Sequence, residues 1–467
     1  MKRIIINISM LACIFITAGC EKYLTTIPDN RTVITTPDQV TQLLTTAYPH
    51  RTYMNFAEAM SDNSEDKGNS AAATGDQIGY SINLQAYKYQ DNTINTGDDS
   101  PIGYFYECYR AIATANQALA YCSNADSAKY RGQKGEALLC RAYAHFMLAT
   151  FFAKPYDSAT ASTDPGIPYI TTVETKVFGS YDRKTVQYDY DMIEKDIVAG
   201  LPLIDEKIYG GAPKFHFNLQ AAHAFAARFY LFKKNYQQVV AHANAVFGTT
   251  TASTLLRNQV YYKTLSYAAQ EQAYTLASDN ANLLLQETNN TYATGETYAG
   301  YKYGMSDGVR AKMFDGANVT GVAYAITVYG GTASFYNIPK FYTNVLPLLS
   351  TEEVLLNRTE ANIRLQNYTD AITDMNSWIS RNTATSPKVT TTSVTNFYKM
   401  SLDSSMVQAT LDFKRVSYIE EGLRWLDVIR LKMPITHIGF TVPADDKRRV
   451  LQLPAEAATA GVPLNPR

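Results

Sequence analysis

One stretch of the sequence matches the pattern of a catalytic serine. Residues 304–308 read Gly-Met-Ser-Asp-Gly, the G-x-S-x-G spacing that exposes a serine nucleophile at a sharp turn between a strand and a helix. Such a turn needs a buried apolar strand before it, whereas residues 298–303 are polar and contain glycine. A serine also needs a base beside it, and His437 is the only histidine that follows Ser306. We assign no catalytic residue, and a surface hydrolase that uses Ser306 or paired carboxylates stays an alternative.

The histidines and acidic residues form no recognisable metal site. His216 and His223 are two helical turns apart without a third ligand in view, and no H-E-x-x-H motif occurs. Residues 62–73 begin like a calcium loop, but Lys67 stands where that loop needs glycine and Ala73 where it needs glutamate. We expect no helix–loop–helix calcium site, and an irregular calcium site stays open. The phosphate-binding and dinucleotide fingerprints are absent too, so we predict no cofactor.

Composition and charge narrow the function classes further. The 467-residue chain has 42 basic and 43 acidic residues, a formal charge of −1, so it has no basic field that would attract nucleic acid. With 46% hydrophobic and 18% charged residues it can build a large core, which excludes a disordered chain and a polytopic membrane protein. Its 35 tyrosines outnumber 19 phenylalanines and two tryptophans. Because tyrosine packs on its ring and hydrogen-bonds at its tip, this bias hints at a polar ligand surface.

The first twenty residues have the pattern of a bacterial lipoprotein signal. Two basic residues precede an apolar run, residues 4–16, which is shorter than the roughly 20 residues that span a bilayer. Residues 17–20 read Thr-Ala-Gly-Cys and resemble the lipobox, in which cleavage leaves the cysteine lipidated, although Thr stands where Leu, Val or Ile is usual. We predict that residues 1–19 are a signal peptide and that Cys20 is lipidated. An ordinary signal peptide with a chance cysteine is the alternative.

The remaining cysteines give no disulfide framework. Cys108, Cys122 and Cys140 are odd in number, lie in apolar helical sequence and form no C-x-x-C motif. We predict buried thiols, with a bridge between Cys108 and Cys140 as the open alternative.

The body of the chain is predicted to be mostly α-helical. After an extended leader, residues 20–36, we expect one domain that continues to residue 467. Within it, apolar residues recur at helical spacing in paired segments, 101–153, 217–247 and 350–380. The last two pairs align at an Asn-Tyr break and resemble tetratricopeptide-type helix hairpins of about 34 residues, which must stack to bury their faces.

Tyrosine-bearing segments with weak periodicity interrupt this scaffold. Residues 249–346 are enriched in Tyr, Thr, Gly and Asn, and a long irregular insertion of this kind is usually disordered or functional. Its tyrosines argue against disorder. Residues 154–188 form a shorter interruption, and residues 58–100, rich in Asp, Asn, Ser and Gly, are predicted to be loop. We expect these irregular segments to carry the ligand face.

The end of the chain, residues 410–467, carries the most specific pattern. Residues 420–430 read Glu-Glu-Gly-Leu-Arg-Trp-Leu-Asp-Val-Ile-Arg, and residues 452–456 read Gln-Leu-Pro-Ala-Glu shortly before a terminal Asn-Pro. These segments resemble the signature helix and the closing segment of the RagB/SusD family of outer-membrane nutrient-binding lipoproteins. The resemblance extends from about residue 36 to residue 467.

We interpret this signature as scaffold. Glu420 and Arg424 are four residues apart and Asp427 and Arg430 three apart, so each pair can form along one face of a helix. The other face is apolar, and Trp425 is predicted to be a core residue. The signature residues are Glu420, Glu421, Gly422, Arg424, Trp425, Asp427 and Arg430.

The resemblance implies a function. Family members bind a nutrient, commonly an oligosaccharide, at the cell surface and cap a SusC-like TonB-dependent transporter without catalysis. It thus implies a protein anchored in the outer membrane and facing outward, with a peptide ligand as the alternative. Sugar rings stack on aromatic faces while their hydroxyl groups need polar partners. With both tryptophans expected in the core, the predicted contacts are Tyr80, Tyr87, Tyr89, Tyr292, Tyr298, Tyr301, Tyr303, Tyr324 and Tyr329, with Asp62 and Asn63.

Overall fold

The computed structural model describes residues 34–68, 77–92, 97–123, 128–175, 179–289, 302–326, 328–330, 336–337, 340 and 344–467. The predicted signal peptide, Cys20 and most of the predicted leader lie outside these residues. Within the described ranges, no helix combines the length and the apolar character needed to cross a bilayer.

The N-terminal part of the fold begins at a capping box. The Thr36 hydroxyl accepts a hydrogen bond from the Gln39 backbone at 3.3 Å, and the Gln39 side chain accepts one from the Thr36 backbone at 3.1 Å. With Pro37 as the first helical residue, the first turn has its polar groups satisfied. The elements that follow up to residue 200 are α1 (Pro37–Leu44), α2 (Met54–Met60), β1 (Glu65–Asp66), α3 (Gln77–Tyr87), α4 (Pro101–Cys122), α5 (Arg131–Phe152) and α6 (Val186–Gly200).

The middle of the chain combines a second helix hairpin with short strands and helices. Three 3-10 turns, Leu201–Leu203, Glu206–Tyr209 and Pro213–Phe215, lead into it. The elements that follow are α7 (Leu219–Phe232), α8 (Tyr236–Phe247), α9 (Ala252–Leu255), α10 (Gln259–Tyr262), α11 (Tyr267–Tyr274), β2 (Asn282–Glu287), β3 (Tyr303–Gly304), α12 (Asp307–Ala317), β4 (Tyr329–Gly330), β5 (Tyr336–Asn337) and β6 (Val345–Ser350).

The C-terminal part returns to helices and ends in a hairpin and a closing turn. Its elements are α13 (Thr351–Arg364), α14 (Tyr368–Asn382), α15 (Thr391–Tyr398), α16 (Leu402–Ser417), α17 (Leu423–Arg430), β7 (Ile435–His437), β8 (Phe440–Val442), a 3-10 turn (Lys447–Arg449) and α18 (Ala455–Thr459).

Helix hairpins form the scaffold, and the predicted mostly α-helical fold class is confirmed. The pairs α4–α5, α7–α8 and α13–α14 each pack together, and α8 also packs on α13. Buried alanines such as Ala111 and Ala115 on α4 and Ala222 on α7 allow the helices to approach closely. The described strands form four two-stranded antiparallel sheets, β1–β3, β2–β6, β4–β5 and β7–β8.

Two segments that we predicted to be irregular contain regular structure. Residues 58–100 include α3, which packs on α2, and residues 249–346 include β2, which pairs with β6. The strand β2 depends on a partner, β6, that lies far away in sequence, and α3 depends on packing against α2. The periodicity of a single segment cannot show such partners, so these predictions were wrong at this level of detail.

One hydrophobic core runs through the described chain, from Val40 to Val462. Trp378 and Trp425 are fully buried in it, and the Trp378 ring stacks on Phe413 with 4.3 Å between ring centroids. Cys108, Cys122 and Cys140 are buried free thiols.

The signature segment differs from our expectation in one respect. The helix α17 begins at Leu423, so Glu420 lies before it, in a turn where Glu420 and Gly422 both have φ of 70°. Arg424 therefore pairs with Asp62 and not with Glu420, at 2.7 and 2.9 Å. The predicted pair of Asp427 and Arg430 does form, at 2.6 Å.

Candidate functional site

The pairing of β1 with β3 joins two irregular segments that are far apart in sequence. Glu65 lies opposite Gly304 and Asp66 opposite Tyr303, and the Lys67 backbone donates to the Lys302 carbonyl at 3.0 Å. Since neither strand exceeds two residues, each depends on the other and on the layer beneath. We call the surface formed by residues 64–68 and 302–306 the junction face.

A layer of aromatic rings lies beneath the junction face. The Tyr87 ring packs against Tyr303, His437 and Phe440, with centroid distances of 4.8, 4.4 and 5.5 Å. Tyr87 and Tyr303 are only 2% and 3% exposed, and burial raises the pKa of Tyr87 to about 12, so its hydroxyl stays protonated. That oxygen accepts a hydrogen bond from the Asp66 backbone at 3.2 Å. Because these rings are buried, we interpret them as a support for the junction face and not as direct ligand contacts.

Polar side chains form the rim of the junction face. Glu65, Asp66, Lys67, Lys302 and Ser306 are all partly exposed. The Lys302 ammonium lies 3.6 Å from the Asp66 carboxylate and 5.6 Å from the centre of the Tyr303 ring. Partial burial, opposed by the charge of Glu420, lowers the pKa of Lys67 to about 8. The rim thus offers acceptors and donors of both charges within one small area.

Asp62 and Asn63, predicted to contact the ligand, instead connect the junction face to the signature segment. Asn63 is 1% exposed, donates to Glu58 at 2.8 Å and accepts from Arg415 at 2.7 Å. Burial would raise the pKa of Asp62, but the guanidinium groups of Arg424 and Arg415 outweigh it and hold that pKa well below its usual range. The contacts of both side chains favour a structural role.

A buried carboxylate holds the signature turn against α2. The Glu58 side chain accepts hydrogen bonds from the backbone of Glu420 at 3.0 Å and of Gly422 at 3.1 Å. Nearby, the Lys340 ammonium is 2.6 Å from Glu421 and donates to the Ser417 and Ile419 carbonyls. These bonds satisfy polar groups that would otherwise be costly to bury.

The other predicted tyrosines lie in several places. Tyr89 and Tyr324 are 4% and 7% exposed and pack on Trp425 and Trp378, with their hydroxyl groups donating to backbone carbonyls. Tyr80 lies in α3 and Tyr329 in β4. Tyr292, Tyr298 and Tyr301 lie outside the described residues. Of the predicted tyrosines whose side chains the structure describes, Tyr87 and Tyr303 lie together under the junction face.

The sequence did not indicate several members of this site. His437 and Phe440 come from the β7–β8 hairpin, more than 340 residues after Tyr87 in the chain, and no local pattern links them. Lys302 and Glu65 are ordinary charged residues in polar segments. Only the pairing of β1 with β3 reveals that they share a surface.

The contacts of Ser306 argue against a nucleophile. Its hydroxyl donates to Glu65 at 2.5 Å and accepts from the Val309 backbone at 3.1 Å, which makes it the cap of α12. His437 uses Nδ1 on the Ser64 carbonyl at 2.9 Å. Among the described residues, no hydrogen bond joins a histidine to this serine, the geometry that serine catalysis uses.

The histidines likewise have structural partners. His216 contacts Glu136 at 2.7 Å, and His223 contacts His242 at 2.9 Å. No group of three or more His, Cys, Asp or Glu side chains in the described ranges could hold a metal ion. The junction face presents partly exposed charged and hydroxyl side chains that can hydrogen-bond to a polar ligand.

The N-terminal part of the chain matches a known protein family. Residues 22–231 match the family SusD-like_3, described as starch-binding and associating with the outer membrane. No curated protein matches the chain.

Solved structures share the fold over nearly the whole chain. A putative sugar-binding protein from Bacteroides vulgatus is 18% identical, with a TM-score of 0.70 over 93% of this chain and 99% of the other. A SusD superfamily protein from Bacteroides thetaiotaomicron is 16% identical, with a TM-score of 0.67 over 93% and 100%. A laminarin-binding SusD-like protein is 16% identical, with a TM-score of 0.59 over the same shares.

Proposed function

We propose that this chain, which matches a SusD-like family over residues 22–231 and shares the fold of SusD-like structures, is a non-catalytic lipoprotein of the outer membrane that captures an oligosaccharide at the cell surface. We further propose that it caps a SusC-like TonB-dependent transporter. Closing the cap on the barrel would trap the ligand. Capture then depends on how much more tightly the closed state binds the ligand than the open state does.

The match of residues 22–231 to a starch-binding, outer-membrane family carries this proposal. The matched segment includes β1 and α3, which supply one half of the junction face and the ring of Tyr87 beneath it. The rim supplies charged donors and acceptors for hydroxyl groups. We propose that stacking rings come from Tyr80, Tyr292, Tyr298, Tyr301 and Tyr329.

Lys302→Ala is expected to weaken glycan binding about tenfold. The substitution removes a charged donor from the rim and leaves Asp66 without its ion-pair partner, and a charge-assisted hydrogen bond contributes about 1.5–3 kcal/mol. The measurement is titration calorimetry of wild type and variant with laminarihexaose, maltohexaose and xylohexaose. Lys388→Ala, at an exposed lysine outside the junction face, is the matched control and should bind like wild type.

Other outcomes of this titration have distinct meanings. Equal affinity of Lys302→Ala and wild type would remove the junction face from the proposal. Binding of a peptide digest, with no binding of the three hexasaccharides, would favour a peptide-binding member of the same uptake system. Release of new reducing ends by wild type, lost in Ser306→Ala, would favour a surface hydrolase.

Cys20→Ala is expected to move the protein from the membrane fraction to the soluble fraction. We propose that the acyl chains on Cys20 are the anchor, and several chains anchor stably where one does not. Fractionation of the native host with immunoblotting measures this, and Thr17→Leu, which brings the lipobox closer to its usual pattern, is the control that should stay in the membrane. Retention of Cys20→Ala in the membrane would contradict the proposed anchor. A mild-detergent pull-down from the same membranes should bring a barrel transporter in equal amount.

A further inference from the structure

A cavity of about 350 Å³ lies away from the junction face, and no part of the proposed function uses it. Three parts of the chain enclose it: the first turns of α4, the segment that contributes Pro168, Ile170, Glu174 and Tyr181, and the closing turn around α18. None of the described residues that line it belongs to the junction face. Its volume falls within the range of about 300–1,000 Å³ that is typical of small-ligand sites.

Aromatic rings form the walls of this cavity. Phe105 and Tyr106 are neighbours on α4, Tyr109 lies one turn further on, and Tyr181 lines the cavity from another segment. The Phe105 centroid lies 5.9 Å from that of Tyr106 and 4.9 Å from that of Tyr109. Tyr106 is 42% exposed, so its ring is accessible from solvent. The cavity therefore presents an aromatic platform to solvent.

Two carboxylates are fixed at the edge of the cavity by tyrosine hydroxyl groups. Tyr106 donates to Glu456 at 3.1 Å, and Tyr181 donates to Glu174. Burial and the adjacent Glu456 raise the pKa of Tyr106, which keeps this hydroxyl protonated as a donor. Among the described lining residues there is no lysine, arginine or histidine. The described lining residues thus supply acidic acceptors and no cation.

Backbone contacts hold the walls together. The Tyr181 amide donates to the Ala460 carbonyl at 3.1 Å, and the Arg183 guanidinium donates to the Pro463 carbonyl at 2.9 Å. On the opposite side, the Phe105 ring packs edge-on against Phe152 with 5.0 Å between centroids. A ligand would find the cavity already formed, which spares it the free-energy cost of ordering the site.

We infer that this cavity is a second carbohydrate-binding site, for a neutral pyranose unit. The apolar face of a pyranose ring would lie on Tyr106, and its hydroxyl groups would donate to Glu456 and Glu174. The two carboxylates would repel a uronic acid or a sulfated sugar, because the described lining residues include no cation to compensate. The inference rests on the proposed function, since two sites on one chain would hold a long glycan at two points and strengthen its retention.

Titration calorimetry of Tyr106→Ala and Glu456→Gln tests the second site. The probes are laminarihexaose, maltohexaose and xylohexaose, with hexagalacturonate as the acidic counterpart. For the neutral probe that binds wild type, we expect two sites per chain in wild type and one in Tyr106→Ala. In Glu456→Gln we expect binding at the cavity to be about tenfold weaker than in wild type. Tyr188→Ala, at a tyrosine on α6 that is 39% exposed, is the matched control and should keep both sites.

The outcomes separate this inference from the proposed function. Unchanged stoichiometry and affinity in both cavity variants, with weaker binding in Lys302→Ala, would overturn the second site and leave the proposed function standing. Binding of hexagalacturonate at the cavity as tightly as a neutral probe would overturn the assignment to neutral sugars. Failure of wild type to bind any of the four probes would overturn both.

Discussion

Replacing Arg430 with methionine is expected to lower the free energy of unfolding by about 3–5 kcal/mol, the usual loss when one partner of a buried ion pair is removed. Arg430 is 6% exposed and donates to both oxygens of Glu360, at 2.8 and 2.5 Å. Glu360 is fully buried, and Arg430 outweighs the effect of that burial and lowers the pKa of its carboxyl group. Without Arg430, this carboxylate would be buried with its strongest partner gone. Chemical denaturation of wild type and variant measures the loss.

Arg364→Met is the matched control for this experiment. Arg364 also contacts Glu360, but at 3.8 Å and with 35% of its side chain exposed, so we expect a loss of at most about 1 kcal/mol. The double variant Arg430→Met with Glu360→Leu should recover part of the stability, because it removes both charges of this pair while the buried Asp427 loses Arg430 and keeps Lys414 at 3.3 Å. Equal losses in Arg430→Met and Arg364→Met would contradict the view that burial makes the Arg430 pair costly to break.

Replacing Gly422 with alanine is expected to lower the free energy of unfolding by about 2–5 kcal/mol, the sum of backbone strain and steric overlap. Gly422 has φ of 70°, a conformation that disfavours residues with a side chain. A Cβ atom there would lie 3.0 Å from the Cβ atom of Ala57 and 3.0 Å from both Cα and the carbonyl oxygen of Met54. Two of these three contacts are with backbone atoms of α2. Relieving the overlap would therefore require the backbone of α2 or of the signature turn to shift.

Gly439→Ala separates the two contributions. Gly439 also has a positive φ, 89°, but no atom lies within 4 Å of the position a Cβ would take. We therefore expect a loss of about 1–2 kcal/mol there, from the backbone alone. Thermal or urea unfolding of both variants gives the comparison, and an equal loss at the two glycines would show that the close approach of α2 at Gly422 has no cost.

The helix hairpins could be predicted from sequence because they are local. Regular apolar spacing identified α4 with α5, α7 with α8 and α13 with α14, and the fold class followed from them. The strand β2 was missed because its partner β6 begins 58 residues after β2 ends, and pairing over such distances leaves no periodic signal in either segment.

The candidate site was harder to predict because a polar residue that could bind a ligand can instead be held by a structural contact. Asp62 and Asn63 are chemically suited to a sugar, but they bind Arg424 and Arg415. A sequence shows that a polar loop exists, and it does not show whether a buried guanidinium group lies beside it. Tyr87 could be selected by residue type, whereas its packing on His437 depends on a hairpin near the other end of the chain.

The pairing of β1 with β3 has a consequence for redesigning ligand specificity. Backbone groups hold the two strands, and the side chains on successive residues point to opposite sides, as in any strand. If the junction face binds ligand as proposed, exchanging Glu65, Asp66 or Lys302 for other residues alters recognition while keeping the strands in register. An insertion of one residue in either strand would instead move the side chains that follow it to the opposite side of the strand pair. Libraries that vary residue identity at constant length are thus the productive route to new ligands, and loop grafts of altered length are not.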